Sequence, residues 1–184
     1  MGFLSFLSPQ KKKEELKEKI NKGLDEFINQ IKVQKGLKPI VIDILLKEKE
    51  SAYLEYITFL QETRAVRHYK SGGMGFRVAK GVYLGGSSGS SESKDEWRTL
   101  DKGRLILTNK RIIFDGQKEN RTVPLEKIIS VSPCLDAIEV SSENRKKSML
   151  FPVENPLIWA TTIQILIKSP NPEKIDNINI KVSY

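Results

Sequence analysis

Apolar residues along this chain follow a helical spacing near each end and a strand spacing between them. Leu16, Ile20, Leu24, Phe27, Ile28 and Ile31 form one stripe at helical intervals. Ser8-Pro9 supplies an N-cap and a first helical position, and Gly36 supplies a stop. A short second helix is expected to start near Pro39 and to use Ile42, Leu45 and Leu46. After Lys49 the period changes. Tyr53, Ile57 and Phe59 interleave with Leu54, Tyr56 and Leu60, which predicts a long strand buried on parts of both faces.

A Gly-punctuated stretch follows, then a second strand around Arg77 to Leu84. Gly85 to Asp95 is rich in Gly, Ser and acid and reads as a mobile loop. Trp97 to Thr108 and Arg111 to Phe114 make a hairpin, with Asn109 supplying the left-handed backbone that tight turns need. Lys110 and Arg111 are expected to face solvent. Shorter strands are expected at Arg121–Val123, Ala137–Val140 and Ser148–Val153. Asn155-Pro156 then opens a helix whose Trp159, Ile163, Leu166 and Ile167 share a face, and Ser169-Pro170 ends it. Ile178, Ile180, Val182 and Tyr184 alternate as an edge strand would. Helix, antiparallel strands and helix in that order give an α+β class built on a small barrel or sandwich.

Composition narrows the chemistry. The 184 residues carry a formal charge of +8, which favours acidic partners without choosing among them. One cysteine, Cys134, excludes an intrachain disulfide and a thiolate metal cluster, and it reads as a small buried hydrophobe. His68 stands alone, and no G-x-S-x-G or H-E-x-x-H run accompanies it, so the reading is of a protein that is not an enzyme and uses no cofactor or metal. Gly72, Gly73 and Gly75 lack dinucleotide spacing, and Gly85-Gly86 lacks the Gly-Lys-Ser/Thr ending of a P-loop. With no signal peptide and no run of 18 apolar residues, a cytoplasmic setting is expected.

The stretch Gly103-Arg-Leu-Ile-Leu-Thr-Asn-Lys-Arg-Ile-Ile-Phe114 resembles the signature hairpin of the GRAM and bacterial PH-like domains. Val123-Pro124-Leu125-Glu126-Lys127-Ile128 is similar to the element that follows it there. The resemblance runs roughly from Lys49 to Lys168. It implies a PH-like antiparallel β-barrel of about seven strands capped by a C-terminal helix, and a role in binding lipid or protein. The organisation expected is an amphipathic helical extension over 1–37, the PH/GRAM-like domain over 38–169 and a tail over 170–184.

The candidate binding residues are Arg64, Arg67, Lys70, Arg77 and Lys80. They lie in a stretch, 63–91, that contains no acid, and glycines among them let a backbone approach an oxyanion. In PH-type lipid binders the loop joining the first two strands carries such cations. The bland alternative is a solvated turn whose cations balance acids elsewhere. The first helix mixes Glu14, Glu15, Glu18, Asp25 and Glu26 with its lysines, which favours packing on protein, its own barrel or a second copy. Phe3, Leu4, Phe6 and Leu7 before Lys11–Lys13 could instead touch a bilayer. The functional expectation is therefore a binding module that contacts an anionic lipid or membrane surface through the basic segment, peripheral at the inner membrane. The alternative is a protein-interaction or self-assembly module using the N-terminal helix and C-terminal strand. Nucleic acid is the weaker partner class, because no aromatic stacking pattern accompanies the charge.

Overall fold

The computed structural model of the chain describes residues 9–79, 82–169 and 171–175, with side chains except those of 65–79 and 82–94. The elements run α1 (Pro9–Gln34), β1 (Ala52–Ala79), β2 (Val82–Thr108), β3 (Arg111–Gly116), β4 (Asn120–Pro124), β5 (Ile128–Pro133), β6 (Ala137–Ser142), β7 (Met149–Pro152) and α2 (Pro156–Lys168). A 3-10 turn, Leu125–Lys127, joins β4 to β5. The seven strands form one antiparallel sheet in the order β4-β3-β2-β1-β7-β6-β5. Two compact units divide the chain. One is Met1–Glu62 with Thr99–Tyr184, and the other is Thr63–Arg98.

The seven strands, the α+β class and the two terminal helices match expectation; the closed barrel does not. β4 and β5 are the two ends of the sheet and do not pair with each other among the described residues. The connection between them is three residues of 3-10 turn, which carries the chain across without making a ladder. On β5 the register with β6 also slips between Ile128 and Ser130, and Ile129 is left 67% exposed. A bulge of this kind bends an edge strand away from further pairing.

The core is one layer of inward side chains covered by α2. Leu105 and Leu107 of β2 oppose Phe114 and Ile112 of β3, so all four point to the same side. They pack with Leu60, Ile138, Val140, Met149 and Phe151 and with Trp159, Ile163 and Leu166 of α2. The Phe114 and Phe151 rings meet at 5.9 Å with a 35° tilt, an offset that suits their quadrupoles. α2 is buried almost all round, because α1 packs on its other side. Its start follows the sequence reading: the Asn155 side chain accepts a hydrogen bond from the Ile158 N–H at 3.2 Å, and Pro156 follows. Ile167 departs from it. It is half-exposed rather than on the buried face.

α1 is one turn-by-turn match to its stripe only from Ile20 onward. Pro9–Lys19 is exposed throughout, whereas Ile20 and Ile31 are buried and Phe27 packs on the core. The helix ends with Lys35 in the left-handed region, φ 58°, and the Gly36 N–H donates to the Ile31 carbonyl at 3.0 Å. Gly36 is required for another reason. The backbone of Glu173 passes where a side chain would stand. That segment is fastened there by Leu37 N–H to Pro172 O and Ile175 N–H to Lys35 O, both 2.8 Å. The alternating tail beyond it and the apolar tip before Ser8 lie outside the described residues.

Three further expectations are corrected. The helix near Pro39 is absent: residues 38–51 form an irregular strap that meets the sheet at the isolated bridge Ile40–Ala52. Ile40-Val41-Ile42 is a β-branched run, which disfavours helix. The loops read into Gly72–Gly75 and Gly85–Asp95 are strand, since β1 and β2 continue through them as hydrogen-bonded neighbours. The strand expected over Arg77–Leu84 is divided between the two, because β1 ends at Ala79 and β2 begins at Val82.

Candidate functional site

The turn Thr108-Asn109-Lys110-Arg111 is a structural lock rather than a basic tip. Thr108 is fully buried, and its hydroxyl oxygen accepts from the Lys110 and Arg111 N–H groups at 3.1 and 2.9 Å. The hydroxyl itself donates to Glu50 Oε1 at 2.7 Å. Asn109 is not left-handed, as the sequence reading expected; among the described non-glycine residues only Lys35 and Lys49 have positive φ. Its amide holds the neighbouring segment instead. Oδ1 accepts from Ser51 N–H at 3.0 Å and Nδ2 donates to Lys49 O at 3.1 Å. These contacts hold Lys49 at φ 54°, a conformation that costs roughly 1–2 kcal/mol for a residue with a Cβ.

Arg111 completes the lock and overturns its expected solvent orientation. Nε donates to Glu50 Oε1 at 2.8 Å and an η-nitrogen to Oε2 at 3.1 Å, a two-pronged pairing. The Glu50 side chain has no exposure and that of Arg111 only 17%. Burial pushes the Glu50 carboxyl up, but the Arg111 guanidinium, the Lys47 N–H and the Thr108 hydroxyl outweigh it and hold the group below its ordinary value. Lys110 is exposed, and its ammonium donates to Glu48 O at 2.5 Å.

A second buried carboxylate, Glu62 of β1, ties strands that do not pair. It accepts from Arg145, in the β6–β7 turn, at 2.6 Å and lies 3.4 Å from Arg121 of β4. Arg121 is held also by Glu119 at 2.6 Å. These ion pairs span the sheet where hydrogen bonding does not. Asp101 has a comparable local duty. It accepts from the Lys118 and Glu119 N–H groups at 2.6 and 2.9 Å, and those bonds keep its carboxyl low.

On the outward side of β2 and β3 lies an arrangement that was not legible from the sequence. Arg104 of β2 points into a meeting of three carboxylates: Asp43 of the strap, Glu55 of β1 at 3.4 Å and Asp115 of β3 at 2.9 Å. The Arg104 hydrogen bond is the main cause of a lowered Asp43 carboxyl, and the same bond raises Arg104. Between the strap and the outer faces of β3 and β4 is an open groove of about 430 Å³, lined among others by Asp43, Leu45, Arg104, Ile113 and Asp115. The signal in the sequence was the alternation Val41, Asp43, Leu45, which fits an extended segment as well as a helix.

Of the candidate binding residues, Arg64 is on β1 with its side chain exposed. Arg67, Lys70 and Arg77 lie along the same strand, with side chains outside those described, and Lys80 lies outside the described residues. His68 is on β1 too. Cys134 is half-buried, and burial, then Glu139 and Asp136, push its thiol up, which makes it a poor nucleophile. No described helix is long and apolar enough to cross a membrane.

No curated protein matches this chain. Residues 80–149 match a family model, under half of the 184 residues. The matched span runs through the described part of β2 to Met149, the first residue of β7. It contains the whole Gly103–Phe114 hairpin, on which the likeness to GRAM and bacterial PH-like domains rested, and so corrects that likeness. The hairpin's Thr-Asn-Lys-Arg run locks the turn to the strap, and a turn lock identifies a hairpin rather than a family. The family that this segment is similar to is the archaeal chemotaxis signal transduction system protein F.

Proposed function

We propose that this chain is a non-enzymatic, protein-binding component of a chemotaxis-type signal transduction system. The observation that carries the reading is the family match across β2 to β7. It is supported by the irregular strap, which displays aliphatic side chains to solvent beside an open groove. The test is calorimetric titration of the full chain against the purified chemotaxis signalling proteins of its source organism at physiological salt. Saturable binding to at least one of them is expected. Binding to none would sink the reading.

A second reading keeps the acid-free stretch. Arg64, Arg67, Lys70 and Arg77 give the Thr63–Arg98 unit a cationic strand, followed in the sequence by Lys80, that suits an anionic lipid surface at the membrane periphery. Co-sedimentation with anionic and neutral vesicles at low salt tests it. Preference for the anionic vesicles, lost on Arg64→Ala with Arg67→Ala and Lys70→Ala, is the expected result; equal behaviour toward both vesicles refutes it.

A further inference from the structure

Among the described residues, nothing covers the aliphatic side chains that the strap leaves on the surface. Val41 is 100% exposed and Leu45 94%. They flank Asp43, whose partner Arg104 also holds Glu55 of β1. Two residues further along β1, Ile57 is 65% exposed, and Phe59 beyond it is 42%. Apolar residues from two elements thus border one polar centre. The strap is fastened from beneath: Arg111 donates to Leu45 O at 3.3 Å and grips Glu50, and Lys110 reaches Glu48 O. Holding it in place limits the entropy that a partner would otherwise have to remove.

Charge selects what would cover this face. At its centre Arg104 faces three carboxylates, and Arg111, the groove's other arginine, is spent on buried Glu50, so negative charge is in surplus there. Asp43 and Asp115 both line the groove, with side chains 77% and 43% exposed. An anionic bilayer is a poor occupant, because these carboxylates would be pressed against like charge and stripped of water. A second copy meeting the face symmetrically would bring the same surplus against itself. A protein segment with a cation between aliphatic side chains satisfies both parts: the cation meets the solvent-facing sides of Asp43 and Asp115, outside Arg104, and its neighbours cover Leu45 and Val41.

We infer that the strap and the groove between it and β3–β4 form a docking surface for a partner protein's segment that presents an arginine or lysine flanked by aliphatic residues. The inference rests on the protein-binding reading above and names the chemistry of the partner.

The probes are two short peptides, acetyl-Leu-Arg-Leu-amide and acetyl-Leu-Glu-Leu-amide, titrated into the isotope-labelled full chain and followed by amide shifts. The arginine peptide should move the amides of Asp43, Leu45 and Asp115 in a saturable way, with affinity roughly tenfold above that of the glutamate peptide. Asp43→Asn with Asp115→Asn should remove most of that difference while leaving the spectrum of the remaining fold in place, since both side chains are exposed. Equal response to the two peptides, response elsewhere, or no response would overturn the docking surface. Anionic vesicles perturbing the same amides would overturn it in favour of a bilayer. Failure here with a chemotaxis protein still bound in calorimetry removes the groove alone; success here with none bound removes the signalling reading alone.

Discussion

Glu50 and Asp43 lie on one strap, and each meets an arginine of the β2–β3 hairpin, yet the two pairs are built for different purposes. Glu50 is closed off from water and matched by a single two-pronged partner plus a hydroxyl and a backbone N–H. Its charges balance, so nothing is left over for a ligand. Asp43 is largely in solvent and shares Arg104 with two other carboxylates, so its site is unbalanced and reachable. The difference is a matter of burial: an ion pair cut off from water is costly to break, and one bathed in water is cheap to break and free to exchange partners.

Removing the buried carboxylate tests that contrast most severely. Glu50→Ala leaves Arg111 without its carboxylate partner and should cost about 3–5 kcal/mol in denaturant unfolding. A loss within error would show the lock to be dispensable. The hairpin end of the lock is the next step down. Asn109→Ala removes two side-chain bonds to the strap, to Ser51 N–H and Lys49 O, and should cost about 1–2 kcal/mol.

Acid should separate the two carboxylates as well. The Glu50 carboxyl is lower in the folded chain than its ordinary value of 4.5, so the stability it contributes is complete above that value and is lost as pH falls through the folded one. Glu50→Gln should therefore flatten the acid limb of a stability–pH curve measured below 4.5. Unchanged curvature would assign the acid sensitivity to other groups. Tyr53 sets the opposite limb. Burial, then Glu173, pushes its phenol up from 10.0 to about 12, so stability is full below 10.0 and falls as pH rises towards 12. Tyr53→Phe should remove that loss. Smallest of all, Asp43→Asn should leave the unfolding midpoint in place while altering peptide response at the groove. A large drop in stability would make the exposed cluster a second lock and dissolve the comparison.

What could be read from the sequence was what is encoded locally. The α2 start needs only Asn155, Pro156 and an N–H three residues on, and the β2–β3 hairpin needs only two short runs around a polar turn. The strap could not be read, because Ile42, Leu45 and Leu46 satisfy a helical period while Val41, Asp43 and Leu45 satisfy an extended one. The decision is made by Arg104 and Arg111, more than 50 residues away. β5 escaped because its bulge at Ile129 breaks the alternation that marks a strand. The continuity of β1 and β2 escaped because glycine and serine have low strand propensity. There the backbone ladder, rather than side-chain preference, makes the strands. Arg64, Arg67, Lys70 and Arg77 were read as a loop and lie on β1, and the acidic meeting at Arg104 depends on four distant segments and has no local signature.

The clasp at the end of α1 has a consequence in time. The Asn155 amide that donates to Ile20 O lies 135 residues downstream of it, and the Pro172 carbonyl that accepts from the Leu37 N–H just past the helix lies equally far downstream. On a ribosome adding roughly 5–20 residues per second, α1 waits on the order of ten seconds before its docking partners exist. During that interval its apolar stripe is open to whatever else binds amphipathic helices, so α1 is the element for which the cell's chaperones compete with the fold.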